Sequence, residues 1–180
     1  MPHLRPQLVA AAGAVLLLGL SIGAAPSQGG FTRLGTELRP FGHTVALEVN
    51  LERRRHGEVG LRVSRALTAA ARQHSMEMAS AGYFAHTSGN GQSFSSRLER
   101  FYPVAGHRYW AVGETLVWSA RAFTPAAAVE MWRRSAEHWA ILIGTRWREF
   151  GVSAVRAVSA PGVYSDRDVI IVTADFGVRR

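Results

Sequence analysis

The clearest pattern in the chain is a stripe of apolar and small side chains between residues 64 and 81. Its members recur at spacings of three and four, as on one face of an α-helix: Leu67, Ala70, Ala71, His74, Met78 and Ala81. Ser64 is a typical N-cap and Gly82 a typical helix terminator. The pattern predicts a helix over residues 64–81, with His74 on its buried face as a core histidine.

Three further segments are predicted as helices. In the first, residues 45–55, apolar side chains alternate with polar ones, so a strand is an alternative interpretation. The second, residues 93–101, ends before a proline. The third begins at Thr124, where a capping threonine precedes a proline suited to the first turn. Trp132 lies on the inward stripe of this third helix and is expected to anchor it in the core.

The last part of the chain has the pattern of a β-hairpin. Residues 150–158 and 168–178 are rich in β-branched side chains, and the second segment contains a Val-Ile-Ile-Val run. The connection, residues 159–167, contains Pro-Gly and Ser-Asp pairs that favour turns. Helices therefore precede strands along the chain, which predicts an α+β fold with a sheet covered by helices.

The N-terminal residues 1–25 have the layout of a secretory signal peptide. A short segment with Arg5 precedes an apolar run over residues 8–22, and small residues follow. The run has fifteen residues, fewer than the roughly twenty that cross a bilayer, although a retained anchor is the alternative. Residues 26–43, with Pro, Gly and Ser, are predicted to be a linker, and residues 44–180 a single domain.

Composition limits the chemistry and the partners. The chain has no cysteine, which excludes disulfides, thiolate nucleophiles and sulfur-ligated zinc. It has 21 basic and 13 acidic residues, and the basic residues are scattered. Nucleic-acid binding usually needs a clustered patch, so no nucleic-acid partner is expected. A solvated arginine surface that favours solubility is the first interpretation of this charge. If the surface has a specific partner, anionic cell-wall polymers or lipid headgroups are the expected counter-charges of an exported protein.

Four separated residues could supply chemistry. His86 follows the strongest helix, and Glu114 follows a glycine in a predicted loop. Ser135 and His138 are three apart across the end of the last helix and are therefore expected on one helical face. Two imidazoles and a carboxylate, His86, His138 and Glu114, could bind a divalent cation such as Zn²⁺, with water or Ser135 completing the shell. The same groups could transfer protons, or could simply hold a cleft together through hydrogen bonds.

Seven short segments, in one order and spacing, resemble the CAP superfamily, also called the SCP or PR-1-like domain, in its exported bacterial form. The resemblance covers about residues 45–178 and rests on the segments 69–79, 83–86, 91–98, 113–114, 132–138, 150–152 and 175–177.

This resemblance implies an α-β-α sandwich whose central cleft is lined by two histidines and two acidic residues. His86 and His138 match the two histidines, and Glu114 matches the glutamate of a Gly-Glu-Asn motif. Ser135 occupies the position of the second acid, as is usual in bacterial relatives, and Thr115 replaces the motif asparagine. A cation held by three protein ligands and water would have an open coordination position.

The expected function follows from the signal peptide and the cleft. We expect a secreted or envelope-associated protein that binds a small hydrophobic ligand, an envelope component or a protein partner. Catalysis is not expected, because the sequence shows no complete set of nucleophile, base and orienting residue. Membrane contact would arise only through an uncleaved N-terminus or peripheral binding. The alternative is a metal-assisted hydrolase of peptide or cell-wall substrates, in which His86 and His138 are ligands and Glu114 is the base.

Overall fold

The computed structural model describes residues 35–121 and 123–180 and the backbone of residues 7–10. The predicted signal peptide therefore lies outside the described residues apart from this short backbone segment, and its cleavage stays a prediction. The helices are α1 (Arg39–Arg55), α2 (Arg65–Ala81), α3 (Phe94–Glu99), α4 (Pro125–Arg133) and α5 (Ala136–Leu142). The strands are β1 (Gln7–Ala10), β2 (Thr36–Glu37), β3 (Arg62–Val63), β4 (Trp110–Ser119), β5 (Glu149–Ala160) and β6 (Arg167–Arg179).

The strands form one sheet in the order β1-β4-β6-β5-β2, with β3 paired beside β5. Its centre is an antiparallel unit in which β6 lies between β4 and β5. Across this unit, Glu114 of β4 is opposite Asp175 of β6, which is opposite Gly151 of β5. The strand β1 runs parallel to β4 along its outer side, so β4 lies near the edge of the sheet.

Helices cover both faces of the sheet. One face of β4, β5 and β6 packs against α1, α4 and α5 in a large apolar cluster that contains Val49, Trp132 and Ile141. The opposite face packs against α2 and α3 through Leu67, Met78 and neighbouring side chains. The predicted α-β-α sandwich is therefore confirmed, and Trp132 is a core residue at 1% exposure. No helix within 35–121 and 123–180 is long and apolar enough to cross a membrane.

The local signals of the predicted helices correspond to their observed ends. The Ser64 side chain accepts a hydrogen bond from the Leu67 N–H, and Gly82 ends α2 in the left-handed conformation at φ 71°. The Thr124 side chain caps α4 in the same way. The helix α1 begins earlier than predicted, at Arg39, so residues 39–43 are helical rather than part of a linker.

The predicted loop around Gly113 and Glu114 is wrong, because both residues lie in the middle of the ten-residue strand β4. A glycine fits there because a Cβ at position 113 would lie 2.9 Å from the Trp147 ring. A glutamate fits because buried partners neutralise its charge, as described below. Neither reason is visible in the local sequence, which lacks the continuous apolar pattern of a buried strand.

The helix α2 approaches the sheet most closely at Gly151. A Cβ at this position would lie 2.0 Å from the backbone nitrogen of Thr68, and backbone cannot move aside as the end of a flexible side chain can. The glycine therefore sets the spacing between α2 and β5.

We predict that Gly151→Ala lowers the free energy of unfolding by about 3 kcal/mol or more, because the added methyl group overpacks the contact between helix and sheet. The measurement is urea-induced unfolding followed by circular dichroism. Gly60→Ala is the control, since its Cβ would meet only side-chain atoms of Arg54 and Asn50 at 3.4 Å or more. Equal stability of the two variants would contradict the assigned close approach.

Candidate functional site

The centre of the candidate site is the side chain of Glu114, which is fully buried on the face of β4 that packs against α2. One carboxylate oxygen, Oε1, accepts a hydrogen bond of 2.8 Å from Nδ1 of His86. The other oxygen, Oε2, accepts a hydrogen bond from the guanidinium of Arg97, which is also completely buried. Both oxygens of the carboxylate are therefore engaged in charge-assisted contacts.

Arg97 also holds the loop that carries His86. Its side chain extends from α3 and donates hydrogen bonds from Nη1 to the backbone carbonyl of His86, at 2.9 Å, and to the Ser88 hydroxyl, at 3.1 Å. The Ser93 side chain caps the N-terminus of α3 and so helps to fix the helix from which Arg97 projects. One guanidinium thus positions both the histidine loop and the carboxylate to which the histidine is bonded.

Opposing effects act on the pKa of Glu114. Burial alone would raise it, but the hydrogen bond from His86 and the charge of Arg97 together lower the pKa below its ordinary value. The carboxylate is therefore ionised at neutral pH and forms a buried ion pair with Arg97. Because Nδ1 of His86 donates to Glu114, this contact also fixes which ring nitrogen carries the proton.

His138, on α5, lies near His86. It is 9% exposed and close enough to His86 for the two imidazoles to interact electrostatically. Burial, and secondarily the neighbouring His86, lower the pKa of His138 below its ordinary value. The structure thus brings His86, Glu114 and His138 to one site, with His138 neutral at pH 7.

The expected placement of Ser135 is wrong in one respect. Ser135 and His138 do not share the face of a single helix, because α4 ends at Arg133 and α5 begins at Ala136. Ser135 is the N-cap of α5, and its hydroxyl accepts a hydrogen bond of 3.4 Å from the His138 backbone N–H. Its role in this arrangement is to begin the short helix that carries His138.

Asp175 is a buried carboxyl group that the sequence alone did not mark as part of the site. It lies directly opposite Glu114 on β6, has no exposed surface, and neither of its oxygens accepts a hydrogen bond from a described donor. Burial and then the negative charge of Glu114 raise the pKa of Asp175 well above its ordinary value. A protonated Asp175 can donate a hydrogen bond to Glu114, which removes the repulsion between the two carboxyl groups.

His74 has the structural role predicted for it. Its ring is completely buried on α2, and Nε2 donates a hydrogen bond of 2.8 Å to the backbone carbonyl of Ala85. Burial lowers the pKa of His74 more than the nearby Glu114 raises it. This neutral imidazole therefore joins α2 to the loop that leads to His86.

The three-residue ligand set predicted for Zn²⁺ does not fit the geometry. Both oxygens of Glu114 already accept charge-assisted hydrogen bonds, from His86 and from the buried Arg97, and the side chain is completely buried. Among residues 35–121 and 123–180, no group of three or more His, Asp or Glu side chains is arranged to hold a metal ion. Glu114 resembles instead a carboxylate that orients an imidazole. A cation at the two histidines with water stays a prediction.

We predict that Glu114→Gln lowers the free energy of unfolding by roughly 3–5 kcal/mol, because the Arg97 guanidinium is then buried without a counter-charge. Urea-induced unfolding measures the loss. Glu130→Gln is the control, because Glu130 forms exposed ion pairs with Arg133 and Arg134 that add little stability. Equal and small losses in the two variants would contradict a large contribution of the buried ion pair to the free energy of unfolding.

Asp175→Asn is predicted to change how stability depends on pH. The folded-state pKa of Asp175 is raised, so the wild-type protein loses stability as pH rises from the ordinary aspartate value of 3.8 through the folded-state pKa. Asparagine does not ionise and its amide can donate to Glu114, so the variant should lack this loss. Unfolding curves of both proteins across acidic to alkaline pH measure the difference. Parallel pH profiles would show that Asp175 is ionised in the folded protein.

The comparisons with known proteins agree with the fold. The model of the cysteine-rich secretory protein family matches residues 47–174. No curated protein sequence matches the chain. An extracellular protein containing an SCP domain from Bacillus anthracis has a similar structure, with a TM-score of 0.60 and 24% identity over 79% of this chain. This chain covers 41% of that protein, so it spans about two fifths of its length.

Two further bacterial structures are similar. An outer surface protein from Borrelia burgdorferi has a TM-score of 0.64 and 17% identity, over 81% of this chain and 99% of that one. A cysteine-rich secretory protein from Staphylococcus aureus has a TM-score of 0.50 and 17% identity, over 77% of this chain and 38% of that one. The structural relatives are thus described as extracellular, outer surface or secretory proteins. On its sequence match and its α-β-α sandwich, the chain belongs to the cysteine-rich secretory protein (CAP) family.

Proposed function

We propose that this protein is exported and binds a ligand without catalysing a reaction, and that the ligand contacts His86 and His138 at the edge of β4. The main support for the proposal is that each carboxylate oxygen of Glu114 accepts a hydrogen bond, one from His86 and one from Arg97. The carboxylate acts on the imidazole of His86 rather than on a substrate. The family's extracellular relatives and the predicted signal peptide support the location outside the cytoplasm.

A hydrolase would need a base that can take a proton from water. Glu114 is a poor candidate, because its pKa is lowered and it has no exposed surface. Protonation of Glu114 would also leave the buried Arg97 without a counter-charge. His138, which is neutral, is a better proton acceptor, and its closeness to His86 is the observation that favours metal-assisted hydrolysis as the second candidate.

The charges of the site favour an uncharged ligand. Arg97 balances the negative charge of Glu114, while burial raises the pKa of Asp175 and lowers the pKa of His138, so both groups favour their uncharged forms. His86 packs near the ring of Phe94, with ring centroids 6.2 Å apart. A small, mostly apolar molecule with one hydrogen-bonding group suits imidazoles in such surroundings better than an ionic polymer does. We therefore place the small hydrophobic ligand ahead of an envelope component or a protein partner at this site.

We predict that the exported, purified protein binds the uncharged apolar dye Nile red saturably, and that His86→Ala/His138→Ala weakens binding by about tenfold or more. The control is His43→Ala/His107→Ala, which removes two imidazoles elsewhere, one of them exposed on α1. Fluorescence titration measures affinity, and circular dichroism verifies folding. If the control double variant weakens binding as much as the site variant, the dye does not bind at the histidines.

The same proteins distinguish binding from hydrolysis. Calorimetry with Zn²⁺ and turnover assays on peptides and peptidoglycan should show no metal-dependent turnover. Zn²⁺-dependent turnover that is lost in His86→Ala/His138→Ala would overturn the binding proposal in favour of the hydrolase. Saturable Zn²⁺ binding without turnover would support a binding site that a cation modulates.

A further inference from the structure

The fold brings together arginines that are scattered along the sequence. At the end of the sheet where β4 and β5 begin and β6 ends, six arginines lie on adjacent chain segments. We call this group the arginine end, and it consists of Arg62, Arg108, Arg146, Arg148, Arg179 and Arg180. It lies outside the His86 site and does not depend on the function proposed for that site.

Backbone contacts show that these segments are neighbours. The N–H of Arg108 donates to the carbonyl of Arg180 at 2.6 Å, and Arg179 is paired with Trp110 across β4 and β6. The N–H of Arg148 donates to Gly177 at 3.1 Å, and the N–H of Arg62 donates to Arg148 at 3.1 Å. Neighbouring strands are about 4.8 Å apart, so the backbone segments that carry these arginines follow one another across the end of the sheet.

The charge of the arginine end is mostly uncompensated. Glu149 forms an ion pair with Arg62 at 2.7 Å and lies close enough to Arg179 for their charges to interact. Within the described part of the chain, no ion pair to a carboxylate is found for the other five arginines. The side chains of Arg108, Arg146, Arg148 and Arg180 belong to exposed residues. Several cations of one sign held this close together attract a partner of the opposite charge.

The opposite end of the same three strands is different. There Arg156 forms an ion pair with Asp168 at 3.3 Å, and Asp168 also accepts a hydrogen bond from the backbone of Ser159. Basic and acidic side chains are mixed at that end. At the arginine end, Glu149 is the acidic partner of Arg62. The excess of positive charge is therefore local and not a uniform property of the surface.

Aromatic rings hold several guanidiniums of the arginine end in place. Arg179 lies over the ring of Tyr102 at 4.1 Å, and Arg146 lies over Trp147 at 5.4 Å. A guanidinium stacked on a ring keeps its planar fork of donors fixed, as recognition of phosphate or carboxylate requires. Tyr102 and Trp147 are 0% and 2% exposed, so these rings support the arginines and are not available to enter a bilayer.

We propose that the arginine end is a docking surface for an anionic polymer of the cell envelope, one that carries phosphate or carboxylate groups along its length. A row of cations across several strand ends matches a chain of repeating anions. A lipid surface fits less well, because peripheral membrane binding also needs apolar side chains that insert. Val63 beside Arg62 is exposed, but a single valine buries little apolar area.

The test uses the full, exported protein and a long-chain linear polyphosphate as the polymer. We predict saturable binding that weakens as salt is raised, because screening reduces the attraction between exposed charges. The variant Arg108→Gln/Arg146→Gln/Arg180→Gln should weaken binding by about tenfold or more. Isothermal titration calorimetry measures the affinity, and thermal unfolding verifies that the variant is folded.

The matched control removes the same formal charge from the opposite end of the same strands, in Arg121→Gln/Arg156→Gln/Arg167→Gln. The proposal requires that this control binds polyphosphate nearly as well as the wild-type protein. Equal losses in both triple variants would overturn it, because net charge alone would then explain binding. Binding to phosphatidylglycerol vesicles without binding to polyphosphate would also overturn it and identify a lipid surface as the partner.

The polymer experiment is independent of the His86 site. His86→Ala/His138→Ala should bind polyphosphate as the wild-type protein does, even though its binding of Nile red is reduced. If the histidine variant loses polyphosphate binding, the polymer contacts the cleft and the assignment to the arginine end is wrong. If Nile red binding fails while polymer binding depends on the arginine end, the function proposed for the cleft fails and this inference stands.

Discussion

The ion pair between Arg97 and Glu114 is the constraint on which the site depends. Both side chains are inaccessible to water, so each charge carries a desolvation penalty that only its partners offset. The pair forms only if α3, the middle of β4 and the loop that carries His86 meet at one place. A local change in any of these three elements would leave a buried charge unpaired. The position of His86 is therefore determined by electrostatics inside the domain as well as by the loop itself.

The same constraint explains why one face of the sheet tolerates so many polar groups. Asp175 can lie beside Glu114 because burial and the neighbouring carboxylate raise its pKa and favour its uncharged form. The hydroxyls of Ser75 on α2 and Thr173 on β6 are hydrogen-bonded at 2.8 Å. The opposite face is covered by aliphatic and aromatic side chains. Polar groups between α2 and the sheet help to specify how these two elements are oriented, while apolar clusters on both faces supply the burial. The face that packs against α2 thus combines apolar burial with polar contacts that position the helix.

Sequence patterns predicted the elements whose signals are local. The helix α2 and the hairpin of β5 and β6 have clear periodicity and end at recognisable residues. The strand β4 could not be predicted, because Gly113 and Glu114 interrupt its apolar pattern for reasons that involve Trp147 and Arg97, distant in sequence. The meeting of the two histidines could be expected only through the family resemblance. The clustering of the arginines could not be expected at all, since strand order and not sequence order makes them neighbours.

The two surfaces proposed for binding lie along the same strand, β4, but differ in how their charges are compensated. Charges at the cleft are balanced by buried partners, while those at the arginine end are left exposed. Trp110 begins β4 beside the arginine end, and Glu114 lies four residues further along, a distance of roughly 13 Å in an extended strand. The two sites therefore lie on one strand but share no residue, so buried partners fix the charges of one while the solvent screens the charges of the other.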